Sequence, residues 1–365
     1  VFLLKNKNSN IKGTGVLLVL ILMLMVVLIY VNNRNSISAS RTKNIESLAL
    51  LGQLEAQDKN SSMLSADDFL AESAGAVIKV RNIEGELIWS KTLNGKIVSM
   101  ECAVGNLYIL DNSKRLYCIS KNGKQLWDKQ LEGEIREIYT DKNGDLLIDS
   151  TYNGGTRIQI FSSKGVDEGS MALENAEVVA FASGKEENTL SLIDISSQII
   201  KTKIITLNLR GDMVWSDNLD NQIVPMLGYA KDNTLIAVGE KTIYKYHDKS
   251  KKQSKVELNK TIYNASISEE GAVVVVRSKN GFEVIAYDDN LKELGFAETE
   301  QVPIGIILEK NNYILYYNEK LLLADMKGTI KAEYKSMPEI NKVYFGTEGS
   351  IISVSDRLIQ KLGFK

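Results

Sequence analysis

Residues 120–133 read SKNGKQLWDKQLEG, and nearly the same wording stands at 81–95, RNIEGELIWSKTLNG, and at 207–221, LNLRGDMVWSDNLDN. All three tryptophans of the 365-residue chain lie in these stretches. Each follows a glycine by four residues: Gly85 and Trp89, Gly123 and Trp127, Gly211 and Trp215. A strand-like run precedes each glycine. The glycine therefore turns the chain, and the segment that returns carries the indole.

Outward from these stretches, a second run recurs along the chain. It reads NLYILDN (106–112), DLLIDST (145–151), TLSLIDIS (189–196), TLIAVGE (234–240), AVVVVRS (272–278), YILYYNE (313–319) and SIISVSD (350–356). Its first large apolar residues are Leu107, Leu146, Leu190, Leu235, Val273, Ile314 and Ile351, at steps of 39, 44, 45, 38, 41 and 37. Seven copies thus fit a period of about 41. Every copy has a strand-like run before it and another after it. A fourth run follows all but the last, and turn pairs such as Asn94-Gly95, Asn122-Gly123, Asn143-Gly144, Asn153-Gly154 and Asn280-Gly281 punctuate the series.

Four short antiparallel strands cannot bury a hydrophobic face alone, so the units must stack. Radial stacking leaves only short, protected edges. The expectation is an all-β domain over residues 75–365: a seven-bladed β-propeller of four-stranded antiparallel blades. The run ELIWSKT (86–92) is expected to complete the last blade and clasp the ring. The run GAVIKVR (75–81) competes with the C-terminal RLIQKLG for a third-strand position and keeps eight blades as the alternative. Trp89, Trp127 and Trp215 then fall at equivalent places on outer strands, after the turns at Gly85, Gly123 and Gly211. A broad indole there fills the wedge between diverging sheets while its N–H reaches a backbone acceptor.

An alternating strand, a polar turn with glycine and an apolar pair ending in Trp resembles the quinoprotein-like β-propeller repeat. The match is clearest over 116–131, good over 80–93 and 206–219, and faint beyond. That family includes pyrroloquinoline-quinone alcohol dehydrogenases, outer-membrane assembly lipoproteins and envelope proteins without an assigned role. The resemblance implies blades tied by tryptophan docking contacts. The dehydrogenases' calcium-centred site and adjacent cysteine pair have no counterpart here, where Cys102 and Cys118 stand apart. No cysteine precedes Cys102, so the lipoprotein route to a membrane does not carry over.

The N-terminal region differs from the rest. An unbroken apolar run, Val16 to Val31, extends to residues 13–31 with its leading glycines and is long enough to cross a bilayer as a helix. Lys5, Lys7 and Lys12 before it outweigh Arg34, Arg41 and Lys43 after it, which keeps a tail at 1–12 in the cytoplasm. The expected topology is a single-pass cell-membrane protein with an extracytoplasmic propeller and the lipid bilayer as a partner through residues 13–31. A cleaved secreted form is the competitor. Residues 32–74 read as a stalk, with Ile45, Leu48, Leu51 and Leu54 spaced for a short amphipathic helix.

A composition 44% apolar and 25% charged is that of a folded protein, and a net charge of −2 with interspersed signs gives no footprint of nucleic-acid binding. The basic run 247–260 reads as a solvated loop. His247 is the only histidine, so any histidine-based metal site or Ser-His-Asp relay depends on it. Asp111, Asp149, Asp194 and Asp288 stand at strand ends, where aspartate caps turns. No phosphate-cradling loop and no nucleophile elbow occur. The expectation is a non-enzymatic protein-interaction scaffold of the cell envelope with no cofactor and an envelope or membrane protein as partner. A small-molecule-binding propeller and a quinone-dependent oxidoreductase are the alternatives. The period stretches near 184–188 and 196–203, which marks Lys185, Glu186, Glu187, Asn188, Gln198, Lys201 and Lys203 as candidate partner-loop residues.

Overall fold

A computed structural model of the protein describes residues 45–55, 62–66, 69–82, 84–153, 155–194, 196, 199–247, 251–346, 349–356 and 358–364. These belong, apart from residue 45, to one compact unit, Glu46–Lys365. Its strands begin with β1 (Glu46–Ser47) and β2 (Ala49–Glu55). Blade 1 follows as β3 (Ser62–Ala66), β4 (Phe69–Ala74), β5 (Val77–Asn82) and β6 (Leu87–Thr92). Blade 2 is β7 (Ile97–Ala103), β8 (Asn106–Asp111), β9 (Arg115–Ser120) and β10 (Gln125–Gln130). Blade 3 is β11 (Glu134–Thr140), β12 (Leu146–Tyr152), β13 (Gly155–Phe161) and β14 (Asp167–Leu173). Blade 4 is β15 (Ala176–Ser183), β16 (Glu187–Asp194), β17 (Lys201–Asn208) and β18 (Met213–Asp220).

Blade 5 is β19 (Met226–Tyr229), β20 (Leu235–Val238), β21 (Thr242–His247) and β22 (Lys251–Glu257). Blade 6 is β23 (Ile262–Ser268), β24 (Gly271–Arg277), β25 (Phe282–Asp288) and β26 (Glu293–Thr299). Blade 7 is β27 (Gly305–Glu309), β28 (Asn312–Tyr316), β29 (Lys320–Asp325) and β30 (Ile330–Lys335). Blade 8 has β31 (Lys342–Phe345), β32 (Ile351–Val354) and β33 (Leu358–Gly363), and takes β2 as its outer strand. Within each blade the strands pair antiparallel in sequence order. First-to-second and third-to-fourth turns therefore share one face, called lower here, while second-to-third turns and blade-to-blade connections share the upper face.

The core sits between blades. Second and third strands are buried on both sides, as in Val273, Val274 and Val275 of β24, and clusters join residues of neighbouring sheets. Ring closure is made by residues 46–55. β1 pairs parallel with β30 of blade 7, Leu48 is buried among Ile314, Leu323, Val343 and Leu362, and β2 pairs with β33. Leu54 then packs with Met63 and Tyr344 beside Leu70, Ile352 and Ile359, joining blade 8 to blade 1.

Seven blades are thus corrected to eight. β3 and β4 fall in the segment read as stalk, so GAVIKVR is the third strand of a complete first blade and ELIWSKT its fourth, not the clasp. The clasp is β2, in the segment read as an amphipathic helix. A bulge at Leu51, between the pairs Leu50↔Leu362 and Gly52↔Lys361, breaks strict alternation and imitates helical spacing.

Among the described residues no helix is long and apolar enough to cross a membrane. This corrects the expectation of a transmembrane helix, a bilayer contact and a single-pass cell-membrane topology, none of which gains support. Residues 13–31 and the tail at 1–12 lie outside the described residues.

Candidate functional site

The recurring Gly and Trp meet across blades. Trp89 on β6 of blade 1 donates its Nε1–H to Lys121 O of blade 2 at 2.7 Å, and its ring lies where a Cβ on Gly123 would sit 2.9 Å away. Trp127 on β10 repeats this one blade on. Its Nε1 donates to Ser163 O at 2.9 Å, and a Cβ on Gly165 would stand 2.8 Å from its ring. Both glycines hold positive φ, +83° and +78°, so the turn needs glycine twice over, for its backbone and for the indole. Trp215 on β18 is buried and stacks on Tyr246 of blade 5 at 5.2 Å between centroids. The turns at Gly85 and Gly211 receive aliphatic side chains instead, Leu54 Cδ2 and Ile160 Cδ1.

A bulge aims each indole. Ile88, Leu126 and Val214 are skipped in the third-to-fourth pairing, and Trp89, Trp127 and Trp215 come next, opposite Val80, Cys118 and Thr206. The same register position holds Gly169 in blade 3, Ser254 in blade 5, Gly295 in blade 6, Ala332 in blade 7 and Gly52 in blade 8. It is filled by Trp or by a small residue.

The strand-end aspartates hold turns and neighbours. Asp111 accepts from Ser113 N and Oγ, Arg115 N and Tyr117 OH. Burial alone would raise its pKa, but these donors hold it below the usual carboxylate range. Asp288 caps Asn290 N and Lys292 N, and Asp194 caps Ser196. Asp149 sits 2.7 Å from Arg136 Nη2, and burial still pushes its carboxyl up. Among the described residues no three of His, Cys, Asp and Glu are grouped to hold a metal ion. His247 is exposed at the end of β21, with Thr234 Oγ1 3.5 Å from its Nδ1. Cys102 and Cys118 are not joined in a disulfide, and burial pushes Cys118 up to about 11.

The candidate loop residues separate. Lys185 and Glu186 form the lower-face turn between β15 and β16, whereas Lys201 and Lys203 lie on β17 after the upper-face connection. The length of β16, roughly 25 Å at about 3.4 Å per residue, stands between the two groups. Gln198 lies outside the described residues. Glu187 accepts from Asn233 Nδ2, and Asn188 is buried. The stretched period goes partly into β15 to β18, each eight residues long, and partly into the six-residue connection 195–200, while the lower turn is tight, with Gly184 N donating to Glu187 O.

The two faces are built differently. On the lower face the turns of four blades are tied in series. Lys142 N donates to Ser183 Oγ, Lys185 N to Asn233 Oδ1 and Lys231 N to Glu269 O. Lys142 Nζ closes the series 3.4 Å from Glu269 Oε1, joining blade 3 to blade 6. Val98, Tyr152, Ile199, Ile200, Tyr263, Ile304 and Met337 are exposed on the upper face, Met337 at 99%, while Leu87, Ile88, Val104, Leu126, Val166, Met213, Val214 and Leu294 are exposed on the lower side, mostly on outer strands. Inner strands also carry charge. Burial and the neighbouring Glu137 push Glu101 up to about 7 against the opposing pull of Lys342, bringing together residues of blades 2, 3 and 8. An upper-face cleft of about 570 Å³ on blade 3 is lined by Tyr152, Arg157, Ser170, Glu174 and Asn175 among others.

The fold is shared with solved propellers. BamB from Moraxella catarrhalis superposes with a TM-score of 0.62 at 11% identity, over 87% of this chain and 100% of that one. Sqt1 of Saccharomyces cerevisiae gives 0.63 at 12%, over 88% and 100%. The computationally designed protein Ika8 gives 0.60 at 13%, over 87% and 98%. At such identities the likeness is one of fold. It leaves the quinoprotein-like assignment at a coarser statement, a β-propeller fold resembling these, with nothing that ties the repeat to quinone chemistry. No curated protein matches the chain. A family model does match residues 41–363, and the chain belongs to the family described as "Family of unknown function (DUF5711)".

Proposed function

We propose that the protein is a non-enzymatic interaction propeller that presents its upper face to a protein partner. The observation that carries this reading is where the exposed apolar side chains stand: on connections and first or second strands at the upper rim, but mostly on outer strands such as β6, β10 and β18 on the lower side, whose turns in blades 3 to 6 are bonded in series. Exposed aromatic and aliphatic groups on a rigid scaffold are what a protein interface uses at its centre. The non-catalytic role agrees with strand-end aspartates that are occupied by turn donors. It agrees too with a single histidine that stands exposed at a strand end.

The test is photo-cross-linking in the native cell, with a benzophenone amino acid placed singly at Tyr263, Ile199 or Met337 on the upper face and at Val104 or Leu126 on the lower side. Discrete protein adducts are expected from upper positions only. Adducts confined to the lower positions, or none from any upper position, would overturn the reading.

The blade 3 cleft supports a second reading, a small-molecule-binding propeller. There the Arg157 guanidinium, 3.6 Å from Glu132 Oε2, lies 5.2 Å from the Tyr152 ring centroid beside an open aromatic wall. Saturation-transfer NMR against a metabolite library, with Arg157→Ala as control, separates it from the first.

A further inference from the structure

We propose that Asn280, in the upper turn of blade 6, is where the folded protein deamidates spontaneously, through attack of the Gly281 backbone nitrogen on its side chain. The inference stands apart from the interaction reading and holds whatever the upper face binds.

The chain has five Asn-Gly pairs, and the sequence marks all of them alike, because glycine puts no side chain in the way of the ring that forms. In that reaction the Gly N–H gives its proton to hydroxide, the nitrogen bonds to Asn Cγ, and ammonia leaves. Water then opens the succinimide at one carbonyl or the other. The products are Asp and its isomer, in which the chain runs through the former side-chain carbonyl, and water is the only reagent consumed. The step needs a glycine amide free of a hydrogen bond and a turn that can yield. The fold therefore decides which pair reacts.

Two pairs are held on the lower face. Gly123 N donates to Ser120 O at 2.8 Å, and Lys121 O in the same turn takes the Trp89 indole N–H from blade 1 at 2.7 Å. Gly144 N donates to Asp141 O at 3.1 Å, while Gly144 O takes Tyr108 OH from blade 2 at 2.7 Å. Freeing either amide means opening a turn that is tied to a neighbouring blade. Asn94-Gly95, on the connection from blade 1 to blade 2, is tied on both sides. Leu93 N, Lys96 N and Ile97 N donate to Ala76 O, Asn112 Oδ1 and Gly75 O. A Cβ on Gly95 would stand 2.8 Å from Asp111 Oδ2, so a carboxylate opposes the negative charge that Gly95 N must take up. Asn280-Gly281 has looser ties. Its turn between β24 and β25 is spanned only by Ser278 N on Gly281 O at 2.9 Å and Asn280 N on Ser278 Oγ at 3.3 Å. Among the described residues no acceptor takes the Gly281 N–H, and the exposed Asn280 side chain is bonded to nothing. The nearest neighbour of Gly281 is Thr299 O, 2.6 Å from where a Cβ would stand, a carbonyl in place of a carboxylate. Charge around the turn is mixed, with Lys279 in it and Glu300 beside Gly281, so the free amide and not the field singles this pair out. Asn153-Gly154 is left unranked, since Gly154 lies outside the described residues.

The experiment ages the full chain at mildly alkaline pH, folded in buffer and unfolded in guanidinium chloride, and follows each Asn-Gly peptide by mass spectrometry. The unfolded sample supplies the rate that sequence alone dictates. In the folded sample Asn280 is expected to react within about threefold of its unfolded rate, and Asn122 and Asn143 at least about tenfold more slowly than theirs, because a bonded amide reacts only through local opening. Asn94 is expected to fall between them. The Asn280 rate is expected to rise with pH, since the amide must first lose its proton. Asn280 left intact in the folded chain while the unfolded chain reacts overturns the proposal. So does Asn94, Asn122 or Asn143 reacting in the folded chain as fast as Asn280.

Discussion

Trp127 shows how a single side chain decides whether two sheets meet. Its indole fills a groove beside Gly165, stacks obliquely on Tyr108 at 6.0 Å and gives its one donor to Ser163 O. Replacing it with Ala is expected to cost about 3–5 kcal/mol in urea unfolding, since a large cavity opens and a backbone acceptor loses its partner. The glycine that receives an indole is as constrained: Gly123→Val forces a branched residue to φ +83°, and Trp89 has to move. These positions were legible because the chain has only three tryptophans, each four residues after a glycine, which is rare enough to mark a register. Gly169, Ser254, Gly295, Ala332 and Gly52 occupy the same register position in silence, since a small residue announces nothing. Glu101 escaped notice for a similar reason. Its environment is made by three blades far apart in sequence, and no local spacing encodes it. Its folded pKa of about 7 lies above the ordinary 4.5, so the native state keeps a proton that the unfolded chain releases. Its contribution to stability is fully present below about 4.5 and is lost as pH rises toward 7. Glu101→Gln is expected to narrow the difference between Tm at pH 5 and at pH 8, as calorimetry would show; an unchanged difference would remove Glu101 as the cause.

At the scale of elements, residues 46–55 are the least predictable and among the most consequential. They touch three blades: the edge of blade 7 through β1, the edge of blade 8 through β2, and the Gly85 turn of blade 1 through Leu54. A chain lacking residues 1–55 is expected to melt at a lower temperature, and hydrogen exchange should show the β33 amides losing protection first. A synthetic peptide of residues 46–55 added in trans should restore part of that protection. Equal melting of both chains would mean that the other blade contacts suffice. β4 was legible in principle: Leu70 precedes Leu107 by 37 residues, one more step of the observed period. It was passed over because FLAESA, with a glutamate and two alanines, lacks the Val and Ile of its sister strands. In the structure Glu72 is nevertheless buried. Strand identity here is conferred by neighbours rather than by intrinsic preference.

For the whole molecule, the period pointed to a ring, because repeats of four strands stacked radially leave only short, protected edges. The number of blades did not follow, since it depends on where the first repeat starts. Nor were the bonds between the lower turns of blades 3 to 6 visible, because a turn's partners across the ring leave no mark in sequence. The lower face gives a test. Lys142 and Glu269 are 48% and 61% exposed, so Lys142→Ala is expected to change stability by no more than about 0.5 kcal/mol. Ser183→Ala, which removes the acceptor of Lys142 N, is expected to cost about 1 kcal/mol. Chemical denaturation of the two variants ranks them; the reverse order would place the weight of that face on its ion pair.

The clasp between β2 and β33 also sets a clock. Gln360 bonds to Gln53 across 307 residues of chain. At roughly 5–20 residues per second on the ribosome, β2 waits about 15–60 s for its partner to be made. During that interval a strand with exposed Leu50 and Leu51 has no sheet to join. The order of synthesis makes blade 8 the last blade to close, and the newborn chain is most exposed to capture by chaperones, or by a second unfinished copy, just before β33 emerges.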